Sequence, residues 1–297
     1  MEVAMSMLGA FIDDLVLRRQ AKSTIAASRT RIRQYLEWCA AQNIDPKAVD
    51  HDNFLAYLRH LQGLGHKTTT LQREFVTLVS FYEFLDLASA GDLKKIRKKY
   101  LRVYKPDGEK RQIISIPQAA EMVAATCSTR DQAILQVLFK TGIRRGELTT
   151  IDVSDVDMDA MSIRLKPTGK RSNRTVYFDR EAQAALRRWL AVRQSIGSTL
   201  FTTTTGERLG GFGLTMLVEK AAERVGLHEA KGPLERRFGP HCCRHWFTTH
   251  LLRAGMRREY VQWLRGDSIR EAVDIYFHID PEDVRRAYLA HIPRLGI

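Results

Sequence analysis

Apolar residues recur at helical spacing along most of this chain. Leu8, Phe11, Ile12 and Leu15 form a first stripe, and Ile25, Ile32, Tyr35, Leu36 and Cys39 a second. Ser23 or Thr24 can cap the second helix, and Asn43 with Asp45-Pro46 breaks it. Asp52 can cap a third helix carrying Phe54, Leu55, Leu58 and Leu61, which runs out at Gly63 and Gly65. Thr68 to Thr70 precede a fourth, with Leu71, Phe75, Leu78, Val79, Tyr82 and Leu85. Short helices with tight links predict a small helical bundle over residues 1–90.

The periodicity then lapses. Residues 91–112 carry Lys94, Lys95, Arg97, Lys98, Lys99, Arg102, Lys105, Lys110 and Arg111 around a Pro106-Asp107-Gly108 turn, and read as a basic linker. A second domain over 113–297 opens at Ser115-Ile116-Pro117-Gln118, a capping box with proline in the first turn. A helix from Ser128 or Thr129 through Ile134, Val137, Leu138 and Phe139 stops at Gly142. The alternation Met161, Ile163, Leu165 predicts a strand, and Thr175 to Phe178 its partner, with a basic hairpin tip over 166–173. Helices are expected near 182–192 and 214–225, over 240–255 between Pro240 and Gly255, and in a tail around 284–289. The expected fold class is mainly α with a small antiparallel sheet in the second domain, that is α+β.

Charge adds a partner. The 297 residues hold 47 Lys and Arg against 34 Asp and Glu, a net +13, and such a surface attracts polyanions, nucleic acid first. No apolar run approaches the roughly 20 residues of a membrane span, and Met1 to Ala10 lack the charged start of a signal peptide. The four cysteines, Cys39, Cys127, Cys242 and Cys243, form no disulfide framework and fit a reducing cytoplasm. His241, Cys242, Cys243 and His245 cannot converge on one metal ion, because helix neighbours point about 100° apart.

The expected chemistry centres on the helix over 240–255. His241, Arg244 and His245 stand at i, i+3 and i+4, which places two imidazoles and a guanidinium on one face suited to an anion. Arg144 lies just past a helix end, with Glu147 three residues on and able to pair with it. Guanidinium forks bind phosphate oxygens bidentately, and a tyrosine hydroxyl such as that of Tyr276 can attack phosphorus to form a covalent ester. No acidic cluster for Mg²⁺ stands out, so arginine and lysine would carry the transition-state charge. His66-Lys67-Thr68-Thr69-Thr70 offers a cation, hydroxyls and a helix start together, equally a phosphate clamp or a plain cap.

Three stretches in order resemble the tyrosine recombinases of the phage-integrase and Xer family. Thr141-Gly142-Ile143-Arg144-Arg145-Gly146-Glu147-Leu148 is similar to the family's first arginine box. His241-x-x-Arg244-His245, followed by Thr248-Thr249-His250-Leu251-Leu252-x-x-Gly255, is similar to the second, and Leu264-Arg265-Gly266-Asp267-Ser268 through Tyr276-x-His278 to the third. The resemblance covers residues 5–290 and implies a two-domain DNA clamp, with a helical core-binding, SAM-like domain before the catalytic one. It implies a site-specific recombinase that integrates or excises a mobile element or resolves replicon dimers. In that reading Tyr276 attacks the scissile phosphate and holds a 3′-phosphotyrosyl link, Arg144 and Arg244 clamp the phosphate, and His241 accepts a proton or donates a hydrogen bond. Lys166, favoured over Lys170, protonates the leaving 5′-oxygen. Glu147 and His245 support, and neither ATP nor metal is required. Lys67, Thr68, Lys94, Lys98, Lys170 and Arg171 are the expected DNA-binding residues. A tail carrying Val284, Tyr288, Leu289 and Ile292, with no further chain to cover them, suits docking on a neighbour and points to a tetramer on paired double-stranded sites.

Asp267 departs from the family, which usually has His or Trp there to donate to the phosphate. Either Asp267 is protonated, or it orients an arginine, or it faces away while Arg265 or Ser268 substitutes. Alternative functions are a catalytically impaired DNA-binding regulator of the same fold and a type IB-like topoisomerase. The charge pattern sets a first expectation: DNA affinity falls steeply with salt, by about 0.9 in the log–log slope for each phosphate contact. Neutralising Lys94, Lys95, Lys98 and Lys99 should flatten that slope, and an unchanged slope takes them off the DNA.

Overall fold

A computed structural model of the chain describes residues 2–102, 112–167, 174–194, 197–267 and 279–297. The chain forms two compact units, Met1–Asp107 and Gly108–Ile297.

The first unit contains α1 (Glu2–Leu17), α2 (Lys22–Ala41), α3 (His51–Gly63), α4 (Thr68–Phe84) and α5 (Ser89–Tyr100). The predicted stripes face inward: Phe11, Ile32, Tyr35, Phe54, Phe75 and Tyr82 are buried. Two phenols are satisfied in that core, Tyr82 Oη donating to the Pro46 carbonyl at 2.7 Å and lying 2.8 Å from Tyr35 Oη. The cap of α3 is Asp50 rather than Asp52; its carboxylate accepts from Asn53 N at 2.8 Å while Asn53 Oδ1 accepts from Asp50 N at 3.2 Å. No side chain caps α2, which begins after Ala21.

The basic stretch differs from a linker. Residues 89–100 are helical, because Ala90, Leu93 and Ile96 form a narrow buried stripe under the lysines. Within it Lys94 pairs with Glu83 at 2.6 Å and Lys95 with Asp92 at 3.1 Å, while Lys98 and Lys99 are exposed.

The second unit begins with α6 (Ile116–Ala124), capped by the Ser115–Gln118 box, and α7 (Thr129–Thr141), capped by Ser128. The short α8 (Arg145–Leu148) follows. Strands β1 (Val156–Asp157), β2 (Ser162–Arg164) and β3 (Thr175–Tyr177) make an antiparallel sheet in the order β1-β2-β3, with Ile163 opposite both Val156 and Val176. Beyond it come α9 (Arg180–Val192), α10 (Gly211–Arg224), α11 (Pro240–Arg253), α12 (Arg258–Arg265) and α13 (Pro281–His291). The chain is thus mainly α with one small antiparallel sheet.

Helix α7 is the axis of this unit and is buried from Ala133 to Thr141. Its one buried cation is satisfied: Lys140 Nζ donates to Asp179 at 2.6 Å, to Glu181 at 2.5 Å and to the Pro293 carbonyl at 2.6 Å. Those contacts also hold the tail, where Leu295 N and Gly296 N donate to Glu181 Oε2 and Oε1 at 2.8 and 2.7 Å. Here the sequence expectation needs correction. Val284, Tyr288 and Ile292 are covered by the same unit, Tyr288 Oη donating to the Lys140 carbonyl at 2.8 Å, and of the set only Leu289 is exposed.

Gly142 ends α7 with a left-handed φ of 59°, and a Cβ placed there would lie 2.3 Å from the Phe247 ring of α11. Both the backbone strain and the ring would have to be overcome. Gly142→Ala should therefore destabilise the second unit by about 3 kcal/mol, read from the urea midpoint. An unchanged midpoint would mean that α7 and α11 do not approach this closely.

Candidate active site

The left-handed turn at Gly142 releases the chain into Arg144, the residue preceding α8. The Arg144 backbone N–H donates to Glu147 Oε2 at 2.7 Å and its NH1 to Oε1 at 3.1 Å. Arg174, leading into β3, reaches the same carboxylate with NH1 at 2.8 Å and NH2 at 3.2 Å. Glu147 is buried, which by itself raises its pKa; the Arg174 and Arg144 hydrogen bonds outweigh burial and the net shift is downward. An ionised Glu147 therefore fixes both arginines at neutral pH.

Helix α11 supplies Arg244 from its buried side. Its NH1 donates to the Gly142 carbonyl at 2.7 Å and its NH2 to the Arg265 carbonyl at 2.7 Å. Arg144 NH1 donates to the same Arg265 carbonyl at 3.2 Å, and Arg174 Nε to the Leu264 carbonyl at 2.7 Å. These carbonyls are among the last of α12, which no intrahelical donor can satisfy and which carry the negative end of the helix dipole. Gly266, with φ of 59°, turns the chain immediately after them.

Asp267 completes the cluster. Its Oδ1 lies 3.3 Å from Arg244 NH2 and 3.5 Å from Arg144 NH2. Its Oδ2 is 3.0 Å from Arg265 Nε, an ion pair not aligned as a hydrogen bond. The carboxyl faces the arginines rather than away from them. Burial, then the charges of Arg144 and Arg265, pulls the Arg244 guanidinium down to about 9. It stays cationic at neutral pH, and an added anion would favour that charge further.

Lys166 leaves the end of β2 toward other partners. Its ammonium pairs with Asp152 and, at 3.1 Å, with Asp155; Arg208 NH2 meets Asp152 Oδ1 at 2.6 Å. The Asp152 hydrogen bond raises the Lys166 pKa, while the Lys166 and Arg208 hydrogen bonds lower Asp152 to about 2. His241 and His245 project from the exposed side of α11, their rings edge to face at 4.6 Å. Lys67 and Thr68 lie exposed at the start of α4, and Lys98 lies exposed on α5. Tyr276, Lys170 and Arg171 lie outside the described residues.

The site thus gathers Arg144, Glu147, Arg244 and Asp267, and adds groups that sequence reasoning missed. Arg174 carried no signal beyond a basic residue before a strand. Asp152 and Asp155 sit in an ordinary-looking Asp152-Val153-Ser154-Asp155 stretch. The α12 carbonyls have no residue identity to read.

The phage integrase family model matches residues 109–283, and the model of the phage integrase N-terminal SAM-like domain matches residues 8–88. Tyrosine recombinase XerC of Pelotomaculum thermopropionicum is 33% identical over 269 residues, covering 84% of each chain. Tyrosine recombinase XerC of Corynebacterium glutamicum is 31% identical over 295 residues, covering 95% of this chain and 89% of that one. Among solved structures, the Tn1549 transposon integrase in complex with transposon right end DNA aligns with a TM-score of 0.70 at 17% identity, over 95% of this chain and 97% of that one. XerH site-specific recombinase bound to a palindromic difH substrate aligns with a TM-score of 0.68 at 19% identity, over 91% and 80%. Those two likenesses establish the fold. From the family match and the XerC identities it follows that this chain belongs to the phage integrase family of tyrosine recombinases.

Proposed function

We infer that this chain is a site-specific recombinase that cuts and rejoins double-stranded DNA through a covalent 3′-phosphotyrosyl link, integrating or excising a mobile element or resolving replicon dimers. The observation that carries the reading is convergence. Arg144 and Arg244, far apart in sequence, share one backbone acceptor, the Arg265 carbonyl, and face one carboxylate oxygen. Two guanidiniums held this way suit the two non-bridging oxygens of a phosphodiester and the extra charge those oxygens gain at the transition state.

Tyr276 then attacks phosphorus. The Tyr276–phosphorus bond forms, the bond to the 5′-oxygen breaks, and a proton leaves the phenol as another reaches that oxygen. An unperturbed phenol, with a pKa of about 10, is a poor nucleophile at neutral pH. The arginine pair and His241, as acceptor or hydrogen-bond donor, must help it lose that proton. Lys166 is the donor to the leaving 5′-oxygen. In its pair with Asp152 and Asp155 its raised pKa makes it a weak acid, so it acts after leaving those carboxylates. Rejoining is the same step reversed, with the bond energy kept in the tyrosyl ester; neither ATP nor a metal enters this scheme.

Each chain offers one such tyrosine, so exchanging both strands of two duplexes takes four chains; a tetramer on paired sites, acting in the cytoplasm, follows from this reading. Lys67, Thr68 and Lys98, with Lys94, Lys170 and Arg171, supply backbone contacts. Loss of chemistry, the regulator alternative, rested on Asp267 alone, and neither it nor the topoisomerase reading is favoured by the XerC relatives.

The test uses duplexes enriched by the protein from a randomised pool, nicked beside the cleavage point so that the covalent complex accumulates. Peptide mapping should find the adduct on Tyr276. Tyr276→Phe should abolish it with affinity nearly intact, and Arg244→Lys should also fail, since an ammonium lacks the planar fork. Tyr288→Phe should keep the adduct at reduced stability, because it strips a donor from the buried Lys140 carbonyl. An adduct on another residue, or one surviving Tyr276→Phe, would overturn the assignment.

A further inference from the structure

We propose that the Asp267 carboxylate stands, in the protein without DNA, where a phosphate oxygen will stand, and is a positioning residue that must yield as the phosphate arrives. This rests on the phosphate site proposed above and concerns how that site is prepared.

The hydrogen bonds of the two arginines divide into fixed and open directions. Arg144 NH1 is committed to Glu147 and to the Arg265 carbonyl. Arg244 NH1 is committed to the Gly142 carbonyl, and one direction of NH2 to the Arg265 carbonyl. These acceptors are a buried carboxylate and backbone oxygens. Of the remaining N–H directions, one at NH2 of each arginine meets Asp267 Oδ1. Among the described residues it is the one carboxylate oxygen in contact with both. An oxyanion at this point would bridge Arg144 and Arg244 as Asp267 Oδ1 does.

The contacts are also those of a displaceable anion. At 3.3 and 3.5 Å they are longer than the roughly 2.7–2.9 Å of a charge-assisted hydrogen bond. Asp267 is 30% exposed, and its other oxygen pairs with Arg265, itself 33% exposed, so this carboxylate stands closer to solvent than the buried Glu147. A negative charge at this place repels the incoming phosphate. The carboxylate therefore does two opposed things: it holds both forks in the binding orientation while the site is empty, and it competes with the ligand. A His or Trp at this place would do neither, having no negative charge.

Tungstate, a tetrahedral oxyanion, is a direct probe, titrated by calorimetry against the full chain. Asp267→Asn keeps the shape and removes the charge; it should bind tungstate about tenfold tighter than the wild type, since a like charge in the anion's place is gone. Asp267→Glu, which restores a carboxylate, should return the affinity toward the wild-type value, and the gain should vanish when Arg144→Ala is added to Asp267→Asn. If the Asn variant melts early, Asp267→Ser gives the same comparison. Equal or weaker binding by a folded uncharged variant overturns the proposal, as does a gain that survives Arg144→Ala. The adduct assay separates this from the function: no adduct from any variant sinks the recombinase reading, while an intact adduct with unchanged tungstate affinity sinks only the role given to Asp267.

Discussion

The second unit depends on how the end of one helix is satisfied. The final carbonyls of α12 have no donor within their own helix, and three arginines from three other places fill that need: Arg174 at Leu264, and Arg144 and Arg244 at Arg265. The exchange works in both directions. The helix end loses its unpaired acceptors, and the guanidiniums gain partners that cost no mobility. Tyr276 follows Asp267 closely in the sequence, so the residue proposed to attack lies a short covalent path from the groups proposed to hold its target.

Each arginine and lysine of the site meets a carboxylate, yet the arginine cluster is not neutral. Glu147 answers Arg144 and Arg174, Asp267 answers Arg144, Arg244 and Arg265, and Asp152 with Asp155 answers Lys166 and Arg208. Four arginines against Glu147 and Asp267 leave that cluster with a surplus of positive charge, the same surplus that helps pull the Arg244 guanidinium down. Glu147, buried and shared by two arginines, is the permanent partner of those arginines, since breaking it would strand charge away from water. The more exposed contacts, at Asp267 and at Lys166, are the ones an incoming polyanion can exchange. Rigidity and exchange are in this way assigned to different carboxylates of the same cluster.

Much of this was legible in the sequence, and the rest was hidden for physical reasons. Helix stripes, the Ser115 box and the glycine stop at Gly142 are local signals, and local contacts satisfy them. The three arginine-box stretches marked Arg144, Arg244 and Asp267 by type and order. What could not be read depends on tertiary contact. Backbone acceptors such as the Arg265 carbonyl have no residue identity, and Arg174 means nothing until β3 brings it to Glu147. The basic stretch misled because lysines outnumber the buried Leu93 and Ile96, so its composition masked a helix. The tail misled in the opposite sense: its apolar face looked uncovered because its cover, α7 with the buried Lys140, lies far upstream.

The most direct measurement of the central claim, that a preset arginine pair receives the scissile phosphate, is a structure of the covalent complex trapped on nicked duplex. Expected is phosphorus bonded to Tyr276 Oη and one phosphate oxygen within hydrogen-bond reach of NH2 of both Arg144 and Arg244. Both arginines should still donate to the Arg265 carbonyl, with the Asp267 carboxylate displaced from between them. A phosphate bound away from this pair, or arginines that abandon the Arg265 carbonyl to reach it, would contradict the claim.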